Sequence, residues 1–382
     1  MKINRAFRPS ILISLSLGAA LAQTPTSRIV SAANKFLATL DDTQRQKAMF
    51  RFDDEEQRKR WSNLPVSIVP RAGLSIGELN PSQRSAAMAL VASALSPRGF
   101  EKVQQIMAAD ETLKNTQGSG QPGGRGRGGP PQGAGPAGPP PGRGPDAARG
   151  GRGGGPPSGR GGGGLMFGSN LYYISLLGTP SEKNIWMLQF GGHHLALNIT
   201  IEGERGILTP TLTGAQPALY TANGKIVRPL AGESDKAIAL LSALDENQRK
   251  QAILSFRLAD LVLGPGQDGK TIQPEGLKAS SMTEKQRSML LDIVSEWAGI
   301  VHESAAVARM AQLKAEIDET WFAWSGPTTV VSGNNIAAYY RIQGPHLVIE
   351  YAPQQMGGDP SLHVHTMYRD PTNDYGRKPA TK

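Results

Sequence analysis

The chain has 382 residues, no cysteine and a formal charge of +9 at pH 7. Without cysteine, disulfides, iron–sulfur clusters, thiolate zinc sites and a lipoprotein anchor are excluded, and the fold must be held by packing. Lys2, Arg5 and Arg8, with six arginines between 117 and 164 set against Asp146, carry all but one of the nine charges. The body that remains lacks the basic footprint that nucleic acid requires.

In chain order, residues 1–22 read as a signal peptide. A basic start (Lys2, Arg5, Arg8) leads into the apolar run from Ile11, and Ala20-Leu21-Ala22 is a small-x-small cleavage site. That run is shorter than the roughly 20 residues a bilayer span needs, and no later stretch approaches that length. The mature protein is therefore expected in the periplasm or outside the cell, with no membrane span.

Asp41 and Asp245 are placed to cap helices that carry apolar residues at helical spacing. Residues 82–94, after the start signal Asn80-Pro81, and residues 283–302 read as longer amphipathic helices. Aromatic, β-rich pieces follow each of these, around Tyr172-Tyr173 and Tyr339-Tyr340. Gly192 to Asn198 and Gly344 to Glu350 both read as buried strands opened by a glycine.

These elements recur in the same order, which is the signature of an internal repeat. The thirteen residues from Phe36 match those from Leu240 at six positions, 204 residues apart. Arg71-Ala72-Gly73-Leu74 with Gln83-Arg84 matches Pro274-Glu275-Gly276-Leu277 with Gln286-Arg287 at an offset of 203, and His194 matches His346 at 152. The drop of about 50 residues is accounted for by 117–164, a Gly/Pro/Arg tract that cannot bury enough apolar surface to order itself. The expected fold is α+β, with two tandem pseudo-symmetric repeats, each a helix pair followed by β-sheet. The first repeat covers 23–221 and contains the disordered insert; the second covers 222–382 and bears the candidate site.

Five of the six histidines lie in the strand-like pieces. His363 and His365 share a strand face, His346 and Glu350 share another, and the repeat selects His194 over His193 as the counterpart of His346. Neutral imidazole is the commonest metal ligand, and with no soft donor available the set suits one divalent Zn, Cu or Fe ion. The plain alternative is a set of sheet histidines bonded to backbone or to neighbouring acids. In the tail, Arg369 is placed to clamp an anionic ligand, and Asp370 or Glu350 to act as base, against the alternative of a surface turn. Gly264 to Thr271 fits the Walker A pattern, but Pro274 and Gly276 forbid the helix which that mechanism needs, so a structured turn is expected. His302 reads as a solvated or capping residue in a helix, and the five tryptophans as core.

The chain resembles the exported proteins grouped as the DUF3500 family. The resemblance is carried by Arg71-Ala72-Gly73-Leu74, the Gly264 to Gly269 turn, Trp321 to Gly326, and His363-Val364-His365 running into Tyr368 to Pro371 and Asn373 to Gly376. It covers roughly residues 30–376 apart from the insert, and it implies no activity. Two functions from different classes follow. One is an exported metal-dependent hydrolase with ligands drawn from His363, His365, His346, His194 and Glu350, acting on a small or anionic molecule. The alternative is a non-catalytic extracytoplasmic protein that binds a ligand or a metal. The sequence does not fix an oligomeric state.

Overall fold

The computed structural model describes residues 23–118, 165–354 and 358–377. The expected signal peptide, and all but the first two residues of the Gly/Pro/Arg tract, lie outside these. The chain is α+β. It opens with α1 (Pro25–Ala38), α2 (Asp42–Ala48), β1 (Met49–Phe50), α3 (Glu55–Arg58) and β2 (Leu74–Ser75), then α4 (Pro81–Ala94) and α5 (Pro97–Gly118). Five strands follow: β3 (Tyr173–Leu177), β4 (Trp186–Gly192), β5 (Leu195–Glu202), β6 (Arg205–Ile207) and β7 (Thr211–Ala215). A small hairpin, β8 (Tyr220–Ala222) and β9 (Lys225–Val227), leads to α6 (Ala231–Ala243), α7 (Glu246–Ala252) and β10 (Leu277–Lys278). The chain then runs through α8 (Glu284–Ala298), α9 (Glu303–Ala315), β11 (Trp321–Ser325), β12 (Tyr339–Gly344), β13 (Leu347–Pro353) and β14 (Val364–Arg369). No helix among the described residues is long and apolar enough to cross a membrane.

Local chemistry starts the helices where the sequence places them. Asp41, Asn80, Asp245 and Thr283 each cap a helix, and the glutamine three residues on bonds back to the cap amide. Two orphan donors are satisfied at each start. These glutamines do a second job: Gln83 Nε2 donates to Gln44 Oε1 at 2.7 Å and to Thr39 O at 2.8 Å. Gln286 Nε2 donates to Gln248 Oε1 and to Ala243 O, both at 2.8 Å. The pairs tie the start of α2 to that of α4 and the start of α7 to that of α8.

The helix expected over residues 283–302 is present but shorter, covering Glu284–Ala298. α8 ends at Ala298 with Gly299 as its C-cap, and His302 stands at the N-cap position of α9 without a side-chain cap bond. The cause is tertiary. Ser96 N donates to Ile300 O at 2.9 Å and His302 N to Ala94 O at 3.1 Å, drawing residues 300–302 into an extended pairing with the end of α4.

One sheet runs through the molecule in the order β1-β3-β4-β5-β7-β14-β13-β12-β11-β10. β7 and β14 pair antiparallel at its centre and so join the two halves of the chain. The main core, from Ile29, Phe36 and Leu90 through Leu188 to Trp297 and Tyr340, is buried by the helices, with smaller clusters around Trp61 and Leu212 and around Leu177 and Met187. The fold thus brings the last strand of each half together, and the chemistry of interest lies at one end of that joint.

Candidate metal centre

The register Gly192↔Leu195 leaves His193 and His194 as the two-residue turn of the β4–β5 hairpin. The sequence reading of one continuous strand is corrected here, and so is that of its counterpart, since Gly344↔Leu347 leaves Pro345 and His346 as a turn. His194 has φ 62°, in the left-handed region. That conformation costs a side-chain-bearing residue about 1–2 kcal/mol, though histidine tolerates it better than most. Its surroundings hold it there: His194 N donates to Asn63 O at 3.3 Å. Its ring also lies on that of His193, with centroids 3.7 Å apart.

Pairing of β5 with β7, and of β7 with β14, carries the turn over the start of β14. Leu195 faces Thr213, and Gly214 faces His365. Gly214 makes the approach possible, because a Cβ there would stand 2.7 Å from Val364 O and 3.2 Å from His194 Cδ2. The result is a triangle of imidazole nitrogens. His194 Nε2 lies 2.9 Å from His363 Nε2 and 3.1 Å from His365 Nε2, and the latter two are 3.1 Å apart.

Hydrogen bonding alone cannot satisfy this arrangement. A neutral imidazole carries one N–H, and any proton set between two of these nitrogens leaves the third lone pair facing the others without a donor. A cation satisfies all three at once. Two nitrogens each about 2.1 Å from one ion stand roughly 3.0 Å apart at a right angle and roughly 3.4 Å apart at the tetrahedral angle. The observed separations fit three ligands on one face of an ion, and the three histidines form a group able to hold a metal. Their protonation favours it. Burial, then the neighbouring imidazoles, holds His194 well below the ordinary histidine range and pushes His363 down to about 3. Burial lowers His365 as well, against the opposing pull of Asp260. All three are neutral at pH 7 and available as ligands.

Around the triangle stand groups that the sequence reading missed. Asp260 Oδ1 lies 3.6 Å from His365 Nδ1 and also accepts from Gln354 Nε2 at 2.9 Å. Asn63 Nδ2 is 3.3 Å from the same His365 Nδ1. Beneath His194, His193 Nδ1 meets the buried Asp110 Oδ1 at 2.6 Å. Asp260 and Asn63 lie in irregular loops far from β14 in sequence. No spacing or periodicity marks them; only the folded path of the loops does.

Other residues nominated from sequence stand elsewhere. His346 turns at the opposite end of the joint, half-exposed, with Nδ1 2.9 Å from Glu316 Oε1. The antiparallel register forces this, since Val348 faces Arg369 while Ala352 faces His365. Glu350 is fully buried two residue pairs from His365. Its carboxylate accepts from Val262 N at 2.7 Å, Leu263 N at 2.8 Å and Tyr339 OH at 2.8 Å. Burial raises its pKa, and these bonds oppose the rise. Arg369, about 13 Å along the strand from His365, donates to Leu263 O, Gly264 O, Asp268 and Asp374 at 2.7–2.9 Å. Asp370 accepts from Thr372 and pairs with Arg309 at 3.1 Å. None of the four reaches the triangle, because each is consumed in fastening a loop or a turn. The Gly264 segment that fits the Walker A pattern is such a loop, with no helix opening at Lys270-Thr271.

Fold and site together define an α+β protein with a buried three-histidine group, compatible with a metal ion, at the junction of its two halves. The chain belongs to the family described as "Protein of unknown function (DUF3500)", whose model matches residues 22–377. No curated protein and no solved structure matches it.

Proposed function

We propose that this is an exported protein that holds one divalent transition-metal ion on His194, His363 and His365, and that the ion serves a hydrolytic reaction. The observation that carries the reading is the mutual approach of three neutral Nε2 atoms within 3.1 Å. Imidazole donors with no thiolate suit Zn, Cu or Fe. Structural zinc sites are closed by four protein ligands, whereas catalytic ones keep three and an open position. Three histidines are the catalytic count. Such an ion lowers the pKa of a coordinated water toward 7. Asp260 is the carboxylate placed to orient His365 through its Nδ1–H. Export rests on the composition of residues 1–22.

A second reading, metal held as cargo or for binding alone, is favoured by one observation. Glu350, Arg369 and Asp370, the residues expected to act as base and anion clamp, are fully engaged away from the triangle. Elemental analysis of untagged protein from an export-competent host tests both. We expect about one ion per chain, lost in His194→Ala, His363→Ala and His365→Ala and kept in His302→Ala and His346→Ala. Metal-free protein whose melting is indifferent to added Zn, Cu or Fe would end the metal reading. Loaded protein inert toward ester, amide and phosphoester panels would leave cargo binding.

We also propose that residues 23–221 and 222–382 are tandem pseudo-symmetric repeats. Support comes from the paired capping glutamines and from two parallel contacts at matching places, Met49↔Leu176 and Ile253↔Trp324. The hairpin turns of the halves each meet an acid, Asp110 within α5 and Glu316 just past the end of α9, as His193–Asp110 and His346–Glu316. Carrying the register across the β7–β14 joint sets Gly206 and Leu208 where His363 and His365 stand. By this reading only one of two equivalent ends kept a metal site. An experimental structure in which the two hairpins fail to superpose would refute the repeat.

A further inference from the structure

Large apolar side chains are left exposed at ten described positions, and five of these, Leu64, Ile68, Leu165, Met166 and Leu362, belong to three short segments. All three segments touch the histidine triangle or the residues that carry it. Leu362 directly precedes His363. Leu64 follows Asn63, which bonds His194 N through its carbonyl and approaches His365 through its amide. Leu165 and Met166 precede Phe167, whose ring lies 5.0 Å from that of His193, which in turn stacks on His194. Met166 N donates to Ser67 Oγ at 3.3 Å and so joins the second segment to the third.

Apolar exposure on this scale is uninformative when scattered, but concentrated around one point it marks a place that something apolar covers. Beside this apolar rim stand the three ligand nitrogens, with His363 the least buried of the residues that carry them. The occupant therefore needs a head able to take the open positions of the ion and an apolar body to lie on the rim. We infer that the metal site acts on an amphiphilic molecule, a metal-binding polar head with an aliphatic chain, whose chain lies across Leu64, Ile68, Met166 and Leu362.

This inference rests on the metal reading above, and its test separates the two. Straight-chain hydroxamates from acetyl to octanoyl are titrated into the metal-loaded protein, with metal content measured on the same samples. Each methylene that reaches the rim is expected to tighten binding about three- to fourfold. Leu64→Ser combined with Leu362→Ser should flatten the trend while keeping the metal, and Ile226→Ser, at an exposed site elsewhere, should leave it unchanged. His363→Ala should abolish binding of every member. Protein that holds no metal would sink the metal reading itself. Metal retained with affinity independent of chain length would overturn the amphiphile alone. So would a change of oligomeric state in the double variant with an unchanged trend, since the rim would then be a contact between copies of this chain.

Discussion

The buried carboxylate of Glu350 bonds the backbone amide of Leu263 at 2.8 Å and thereby fixes the loop that carries Asp260. Arg369 grips the same loop from the next strand through Leu263 O and Gly264 O. Two polar residues of the sheet thus act on the histidine triangle at one remove, by setting where Asp260 can stand beside His365.

Glu350→Ala should therefore destabilise without removing the metal ligands. Two amides and the Tyr339 hydroxyl lose their acceptor, at about 1–3 kcal/mol for each donor left buried. We expect a fall in unfolding free energy on the order of 3 kcal/mol, read from urea denaturation, with about one ion per chain still bound. Complete loss of metal from a folded Glu350→Ala protein would make Glu350 a ligand after all.

Asp260→Asn probes the other end of the same path. Removing the carboxylate that orients a ligand histidine typically weakens metal binding 10- to 100-fold. Competition with a chelator of known affinity measures the change. An affinity within twofold of wild type would show that Asn63 alone sets the His365 ring.

Much of this was legible in the sequence, and the gaps have physical causes. The helix-starting residues Asp41 and Asp245, the order of helices and strands, and the pairing of His363 with His365 follow from residue types at short spacing, whereas His194 was reached only through the long-range match to His346, which itself stands elsewhere. The turn at His193-His194 was hidden because it lies inside an apolar run and lacks the usual Asn-Gly or Asp-Gly signal. Glu350 stood out as a polar residue in an apolar strand, and Arg369 as the cation of a polar tail. A buried polar group needs partners whether it is a ligand or a clamp, so its type alone does not reveal its role. Asp260 reaches His365 only through the path of a long irregular loop, which no local pattern encodes.

The metal-free protein should weaken as pH falls. An unfolded histidine titrates near 6.5. In the native state His363 is pushed down to about 3, and His194 and His365 are lowered too. Below about pH 6.5 the unfolded chain binds protons that the native protein does not, so stability rises with pH through this window and is lost on acidification. His363→Gln should make the slope shallower by about one proton, about 1.4 kcal/mol per pH unit, between pH 6 and 4. Urea unfolding at several pH values gives the slopes directly. Identical slopes in wild type and variant would mean that His363 is protonated in the native state.

The two halves are also joined by charge, away from the triangle, and this junction gives the last test. Lys102 on α5 bonds the fully buried Glu233 of α6 and lies 3.7 Å from Glu296 of α8, itself held by Arg98 and Lys236. Burial raises the pKa of Glu233, and Lys102 opposes that rise. Lys102→Met leaves an uncompensated acid in the core, and breaking a buried pair by removing one partner costs about 3–5 kcal/mol. Adding Glu233→Gln removes the stranded charge, so the double variant should regain most of that loss. The metal content should not change in either, since neither residue approaches the histidines. Urea midpoints at unchanged m-value report the comparison. A single variant that loses under about 1 kcal/mol would show the pair to be solvated, and the halves would then be held together by the β7–β14 joint and its apolar core alone.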